Sequence, residues 1–374
     1  MRSVAWLADS VEEVESRLQS SIADGIMPSL AIVFASPAHD LAAVGACFGR
    51  HNIDVFGSAS GGGILNEEVR EGSIAVLLLD IDREAYRIKM FDVTDRAYYE
   101  LGKRIAEWGK PIFPEPAYMV VVGGFLADGD EIIAGIIQTM GREIPLFGGL
   151  AGNDQFVPET PIFDSSSVLS EGASALVFNQ DLIEIRGVAA SGWMGVGVTK
   201  TITKAKGNLV YEIDNEPALD SYKKYLGIED DILAAIEYPL LVMRDDESFV
   251  FRAALAMNED GSIAYGGSVP EGAKVRFSIP PGLEIVDYCI EQISKISQSD
   301  CAPDAIVLFS CKARHLTLGP LIENEMSAIR ELWDVPIVGF FTGGEIGPHP
   351  TGICDFHGTA IVPVLIRDKQ ALEE

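Results

Sequence analysis

The sequence predicts an α/β protein built from three copies of a strand–helix–strand unit, with a β-rich insert in the C-terminal half. Two observations predict it. Three short continuous apolar runs, at residues 31–36 (AIVFAS), 119–124 (MVVVGG) and 305–310 (AIVLFS), are the pattern of strands covered on both faces. Each is followed by a helical pattern and then by a second apolar strand that enters a glycine-rich turn: 57–62 (GSASGG), 148–153 (GGLAGN) and 339–344 (GFFTGG). The same series three times in the same order marks an internal repeat.

The elements follow in chain order. Ser10 and Glu13 form a capping box, and Val14, Leu18 and Ile22 recur at helical spacing, so the N-terminus leads directly into an acidic helix. In the first copy Leu41, Val44 and Phe48 share a helix face, and residues 54–56 and 74–79 are strands. In the second, Ile132, Ile133, Ile136, Ile137 and Met140 form the helix face, and residues 173–178 the closing strand. In the third, Leu318, Leu321, Ile322, Ile329 and Leu332 form the helix face, and residues 359–364 close the unit. Residues 94–109 make a helix that stops at Gly109 before Pro111. Residues 183–213 look like a long β-meander or hairpin, 217–226 a helix, 240–278 several short strands with an Asp260-Gly261 turn, and 283–296 an amphipathic helix. The expected boundary separates residues 1–215, with two copies, from 216–374, with the β-rich segment and the third copy.

Composition excludes several functions. A net charge of −28 repels phosphate backbones and anionic bilayers, which argues against nucleic-acid and membrane partners. The short tail Glu373-Glu374 adds to that charge at the end of the chain. The N-terminus has no secretory core, and no apolar run is long enough to span a bilayer, so the expected location is the cytoplasm. Cys47, Cys289, Cys301, Cys311 and Cys354 are odd in number and irregular in spacing, which suggests free thiols and neither a disulfide framework nor a zinc knuckle.

The crossover rule makes both strands of each unit parallel, so their C-terminal ends share one edge, where open α/β sheets bind ligands. The turns there supply Gly57, Ser58, Ser60 and Gly61, then Gly148, Gly149, Gly152, Asn153 and Asp154, then Thr342, Gly343, Gly344 and Glu345. Glycine lets backbone N–H groups approach a ligand, or serves only tight turns and close packing. None of the turns is a P-loop or GxGxxG. The flanking Glu67, Asp154 and Glu345 disfavour phosphate and suit a ligand with a cationic part, such as an amino acid. In the third copy, Cys311 near Arg314 has the pattern of an activated thiol, and Arg314 equally that of a two-point clamp on a ligand carboxylate; the bland alternative is a buried strand-end cysteine beside a surface arginine. Cys311, His357 and Glu345, around a loop with His349 and Cys354, are the residue types of a nucleophile–base–orienter set or of a metal site. The bland alternative is that His357 caps a strand entry and His349 is exposed between prolines.

The chain resembles the FIST family of sensory proteins over residues 28–366. The resemblance rests on residues 55–62 (VFGSASGG), 147–156 (FGGLAGNDQF), 269–275 (VPEGAKV), 310–314 (SCKAR), 338–348 (VGFFTGGEIGP) and 356–359 (FHGT), the last with Gly358 where the family commonly has Asn. It implies FIST N-terminal and C-terminal domains, a small-molecule ligand, with amino acids the usual suggestion, and signalling to kinases, cyclases or chemoreceptor modules. The length leaves no room for an output domain, so the expectation is a stand-alone sensor with a separate partner. Arg314 is expected to hold a carboxylate, and Asp154 or Glu345 an amino group. Two alternatives accompany it: a Cys311-dependent thiol hydrolase or transferase, and a haem sensor with His357 or His315 as axial ligand, as in some relatives.

Overall fold

A computed structural model describes residues 1–124, 127–154, 159–229, 231–244, 248–282, 284–297, 302–350 and 352–369. Residues 155–156, 245–247, 283, 301 and 373–374, which fall in stretches named above, lie outside them.

Helical crossovers force parallel pairing, and the structure is organised on three such pairs. They are Leu30–Ala35 with Asp54–Ala59, Pro116–Gly123 with Leu146–Leu150, and Ala305–Cys311 with Ile337–Thr342. Each pair sits inside a six-stranded sheet. Ile74–Asp80, Gly172–Asn179 and Ile361–Asp368 flank the first strands antiparallel. Beyond them run the edge strands Arg2–Ala8, Tyr86–Asp92 and Ile183–Gly187.

The other side of each pair is completed by a hairpin from elsewhere in the chain. Gly63–Leu65 and Glu68–Arg70, which follow the first turn, join the third sheet. Ile162–Phe163 and Val168–Leu169, after the second turn, join the first sheet. Glu345–Pro348 and Cys354–His357, after the third turn, join the second. The three sheets therefore lend hairpins in a closed cycle.

Alternation along the strands explains the layering. Leu30, Ile32 and Phe34, with Ala117, Met119 and Val121 and with Ala305, Val307 and Phe309, face one shared central core. The residues between them face outward under helices: Ala31 and Val33 under the helices at 11–23 and 41–49, Tyr118 and Val120 under those at 98–109 and 129–140, Ile306 and Leu308 under those at 284–297 and 322–332. Covering on both faces is why these strands are continuous apolar runs.

Several expectations change. The N-terminus does not lead directly into a helix. Arg2–Ala8 is an edge strand, and only then does Ser10 cap the helix Val11–Ala23, accepting from Glu13 N at 3.2 Å. Residues 183–213 are not one meander: Ile183–Gly187 leaves to pair with Ile361–Asp368, and only Met194–Lys206 and Leu209–Ile213 form a hairpin. The third helical stretch is broken at Gly319 (φ +52°), ahead of Pro320, into Lys312–Leu318 and Ile322–Leu332. Residues 194–279 build a separate eight-stranded sheet with its own core around Tyr222, Tyr265 and Phe277. It is anchored by buried Arg252, which pairs with Asp130 at 2.7 Å and donates to the Phe356 carbonyl at 2.6 Å.

The three glycine turns meet. Gly61 N–H donates to the Phe341 carbonyl (2.9 Å), Gly152 N–H to the Ala59 carbonyl (2.9 Å) and Gly343 N–H to the Leu150 carbonyl (3.1 Å), a ring of equivalent bonds joining the sheets. A Cβ on Gly152 would stand 1.9 Å from the Phe341 oxygen and 2.5 Å from Gly61 N. Backbone cannot retreat as a flexible side chain can. Gly152→Ala is therefore expected to destabilise by about 3 kcal/mol, the upper range for overpacking, read as a lower urea midpoint with unchanged slope. A shift of less than about 0.5 kcal/mol, the range of neutral surface changes, would show that the ring is dispensable.

Candidate functional site

The structure answers what the glycine turns are for locally: they pack backbone on backbone. Gly57, Ser58, Ser60, Gly61, Gly148, Gly149, Gly152, Thr342 and Gly344 are buried, while Gly343 is exposed and Asn153 and Asp154 are half-buried. A Cβ on Gly57 would meet the Phe163 ring at 2.7 Å, and one on Gly148 (φ +147°) the Val120 oxygen at 1.8 Å. Ser60 Oγ accepts from Gly62 N at 3.0 Å. Asp154 accepts from Ser36 Oγ (2.7 Å) and Gly72 N (2.8 Å), and Asn153 Nδ2 donates to the Glu159 carbonyl (3.2 Å). These polar groups hold the turns together.

Arg314 is not a ligand clamp. Its side chain is fully buried and forms a two-point pair with the equally buried Glu325. Its remaining donors go to the Ser191 and Thr359 carbonyls and to Cys289 Sγ (3.2 Å), and its guanidinium lies 5.6 Å from the Trp193 ring centre. With its charge matched inside the fold, a carboxylate ligand has nothing to bind there.

Cys311 is not an activated thiol either. It is buried, and both burial and the Glu345 carboxylate raise its pKa, which disfavours the thiolate. Glu345 is itself wholly buried. It accepts from Thr342 Oγ1 and from Ala360 N (3.0 Å), with the Cys311 thiol beside it. Burial pushes its carboxyl up to about 8, against these hydrogen bonds. It cannot hold an amino group from solvent. His357 sits opposite Glu345 in the hairpin register, yet its Nε2 meets the Gly347 carbonyl at 3.0 Å. The nucleophile–base–orienter set is not assembled.

These groups make stability depend on pH with opposite signs. Glu345 is raised from 4.5, so its contribution is complete below about 4.5 and is lost as pH rises towards 8. Burial lowers His357 from 6.5 to about 4, so its contribution is complete above 6.5 and is lost as pH falls towards 4. Above 6.5 only the Glu345 slope remains. Between about pH 6.5 and about pH 8 the wild type is expected to lose up to about 1.4 kcal/mol per unit, and Glu345→Gln to flatten that slope in urea unfolding. An unchanged slope would mean that the carboxyl is ionised throughout.

One cleft does open beside these residues, between the third sheet and the insert. Ser191, Trp193, Phe249, Tyr288, His349 and His357 line it, and it holds ≈ 420 Å³ of atom-free space, part of it open to solvent. The His349 and His357 rings stack at 6.4 Å, and Phe249 meets His349 edge-on at 5.6 Å. Trp193 is fixed by its Nε1 donating to the Glu237 carbonyl at 2.9 Å. Between the lining residues Gly358 and Ala360, the buried Thr359 has φ +62°, a strained conformation for a β-branched residue. Arg314, on the Thr359 carbonyl, and Ser191 Oγ, 3.0 Å from Thr359 Oγ1, hold it there. Of the lining residues only His349 and His357 were candidates from sequence. Residues 191–193 (SGW) carry no motif, and Phe249 and Tyr288 belong to stretches whose periodicity reports packing alone.

The residues do not fit a haem. The His357 Nε2 is engaged by the Gly347 carbonyl, and the His315 ring lies flat on Phe341 at 4.1 Å with Lys312 3.3 Å from its Nδ1. Among the described residues no group of His, Cys, Asp or Glu is placed to hold a metal ion, and no helix is long and apolar enough to cross a membrane.

Comparison with known proteins adds a family. Residues 29–216 match the FIST N domain and residues 218–348 the FIST C domain. Among curated relatives, the uncharacterized protein Mb0898c of Mycobacterium bovis and the uncharacterized protein MT0897 of Mycobacterium tuberculosis are each 26% identical over 256 residues, 63% of this chain and 64% of theirs. The uncharacterized protein MT0656 of M. tuberculosis is 23% identical over 236 residues, 57% of this chain and 59% of its own. The match thus spans about three fifths of the length of these relatives.

Proposed function

Because this chain belongs to the FIST family, whose domains are generally sensory, we propose that it is a sensor whose small-molecule ligand occupies the cleft between the third sheet and the insert. One observation carries the reading. The cleft is walled by separately anchored parts: the 189–193 link into the insert, Phe249–Phe251 of the insert, Tyr288 of the 284–297 helix, and His349, Pro350, His357, Gly358 and Ala360 from the hairpin that joins the second sheet and the segment that follows it. A ligand there binds two bodies at once, so occupancy changes how they are held together, which is the requirement for a signal. The signal passes to a separate protein of kinase, cyclase or chemoreceptor type, working in the cytoplasm. The three sheets, with like strand patterns and exchanged hairpins, are copies of one ancestral unit, of which the third has been opened to accept the insert.

A thermal-shift screen of small metabolites against the wild type and Tyr288→Ala tests this. Tyr288 is 43% exposed, so its truncation spares the fold. A ligand is expected to raise the wild-type Tm by about 2 °C or more and to lose that effect in Tyr288→Ala. No hit, or a hit indifferent to Tyr288, overturns the placement.

A further inference from the structure

We propose that the edge strand Tyr86–Asp92 of the second sheet is the docking surface for the separate partner, and that it pairs with an extended segment in which acidic and apolar residues alternate. This rests on the reading that the chain signals through another protein, and not on where the ligand sits.

The open edge follows from the ladder. Tyr86–Asp92 pairs on one side only, with Gly172–Asn179. Successive residues of a strand turn their backbone N–H and C=O groups to opposite sides. Tyr118 N–H donates to the Pro145 carbonyl and the Val122 carbonyl accepts from Ala151 N, both at 2.8 Å. The even-numbered residues of Pro116–Gly123 therefore face Leu146–Leu150, and the odd-numbered ones face Gly172–Asn179. Carried across the register, this alternation turns Ala173, Ala175 and Val177 towards the edge strand and leaves the backbone groups of Tyr86, Ile88, Met90 and Asp92 pointing outward. Two arginine side chains agree with it. Arg87 Nη1 donates to the Tyr86 carbonyl at 2.7 Å, and Arg104 Nη1 to the Asp92 carbonyl at 2.9 Å. Both ends of the edge are thus capped. Between them, Ile88 and Met90 have no outward backbone partner among the described residues. An extended chain laid there gains its main-chain hydrogen bonds, as in strand addition generally.

The side chains say what the added strand carries. Ile88 and Met90 pack on the rim of the central core and are only half-buried, so apolar residues directly opposite them would complete that rim. Arg87 and Lys89 stand exposed on the other face. Among the described residues neither forms an ion pair. Arg87 donates to the Arg83 and Tyr86 carbonyls, and Lys89 Nζ lies 4.9 Å from the Phe91 ring centre and 5.9 Å from that of Trp108. The carboxylates nearby do not close on them. Asp92 pairs with Arg104 at 3.0 Å and Glu100 with Lys103 at 3.1 Å, while Glu84 and Glu107 form no ion pair with either cation. At the corresponding edge strand Ile183–Gly187, by contrast, Glu184 meets both Arg186 and Arg367 at 3.4 Å.

Opposite charges across a strand pair stabilise it and like charges oppose it, so carboxylates belong opposite Arg87 and Lys89. Cations on an edge also guard against indiscriminate pairing, and here they reject a basic strand and admit an acidic one. A second copy of this chain, paired about Ile88 or Lys89, would set cation against cation. Beside Lys89 and Trp108, a hollow with ≈ 780 Å³ of atom-free space, part of it open to solvent, leaves room for side chains on the outer face.

Capped peptides with the strand's own length of seven residues test this by fluorescence anisotropy. One alternates valine and glutamate, one alternates valine and lysine, and the third is the glutamate peptide N-methylated at its valine amides, the groups that would face Ile88 and Met90. The glutamate peptide is expected to bind at least about tenfold more tightly than either counterpart, and to move the amide resonances of Ile88 and Met90. The Arg87→Glu, Lys89→Glu double variant is expected to prefer the lysine peptide. Met90→Pro, which removes an outward N–H where an edge tolerates proline, is expected to weaken the glutamate peptide at least about tenfold while keeping a cooperative urea transition. A preference that the double variant does not reverse would overturn the acidic chemistry. An N-methylated peptide that binds as tightly would overturn strand pairing. If no peptide binds, or if the chain self-associates through this edge and Lys89→Glu abolishes that, the edge is not the partner's docking surface. Metabolite binding is read separately by the thermal-shift screen, so the docking surface can fail while the ligand cleft stands, and the reverse.

Discussion

Arg314→Met is expected to lower the stability of the protein by about 3–5 kcal/mol, the cost of leaving a buried carboxylate without its partner. Glu325 is fully buried beside it, and water cannot replace the lost guanidinium. Methionine keeps the length and much of the volume, so loss of packing is a minor part of the effect. The Arg314→Met, Glu325→Leu double variant is expected to lie closer to the wild type than Arg314→Met alone, because replacing both charges removes the uncompensated ion. It is not expected to be neutral. The Ser191 and Thr359 carbonyls lose a donor, and Thr359 loses a restraint on its left-handed backbone, at about 1–3 kcal/mol per unsatisfied group. Urea midpoints of the four-member cycle measure the coupling. A double variant as unstable as the single would mean that Arg314 acts through the carbonyls and not through Glu325. In that case the anchoring of Thr359, and not the ion pair, is what the SCKAR stretch provides.

Much of the layering was legible in the chain. Continuous apolar runs placed the parallel pairs, and the glycines marked where the second strands end. The central core followed from alternation that a two-sided strand hides: Leu30, Ile32 and Phe34 cannot be told from Ala31, Val33 and Ala35 by hydropathy, and only the register assigns one set inward. The hairpins were invisible for another reason. Gly63–Leu65 and Ile162–Phe163 are only three and two residues long, and what makes them strands is a partner more than one hundred residues away. The site was misjudged because charge was read without burial. Arg314 and Glu345 are the residue types of a zwitterion site, but side chains with no exposure answer to each other and to backbone, not to solvent. Thr359 gave no signal at all, since nothing in a sequence shows that a threonine will be held at positive φ.

The second large effect concerns where the chain can be divided. The family matches part at residues 216 and 218, and a cut after residue 215 looks like a domain boundary. Strand pairing crosses it several times. The N-terminal piece would keep Gly63–Leu65 without Ile337–Thr342, and Leu146–Leu150 without Glu345–Pro348. The C-terminal piece would lose Ile183–Gly187 from the edge of Ile361–Asp368. Both would expose the central core, since Phe34 and Phe340 stack at 4.2 Å and Phe309 meets Phe34 at 6.1 Å. An apolar surface of that kind belongs to obligate interfaces, whose members do not fold apart. Residues 1–215 and 216–374 expressed separately are therefore expected to lack a cooperative urea transition. Co-expressed, they are expected to copurify as a folded pair with a single transition. A sigmoidal transition and dispersed amide spectrum from residues 1–215 alone would show that two of the sheets form a self-sufficient core, and that the hairpin exchange is an attachment and not a condition of folding. The outcome also bears on signalling: if the halves fold only together, a ligand that shifts the insert acts on all three sheets through one continuous core.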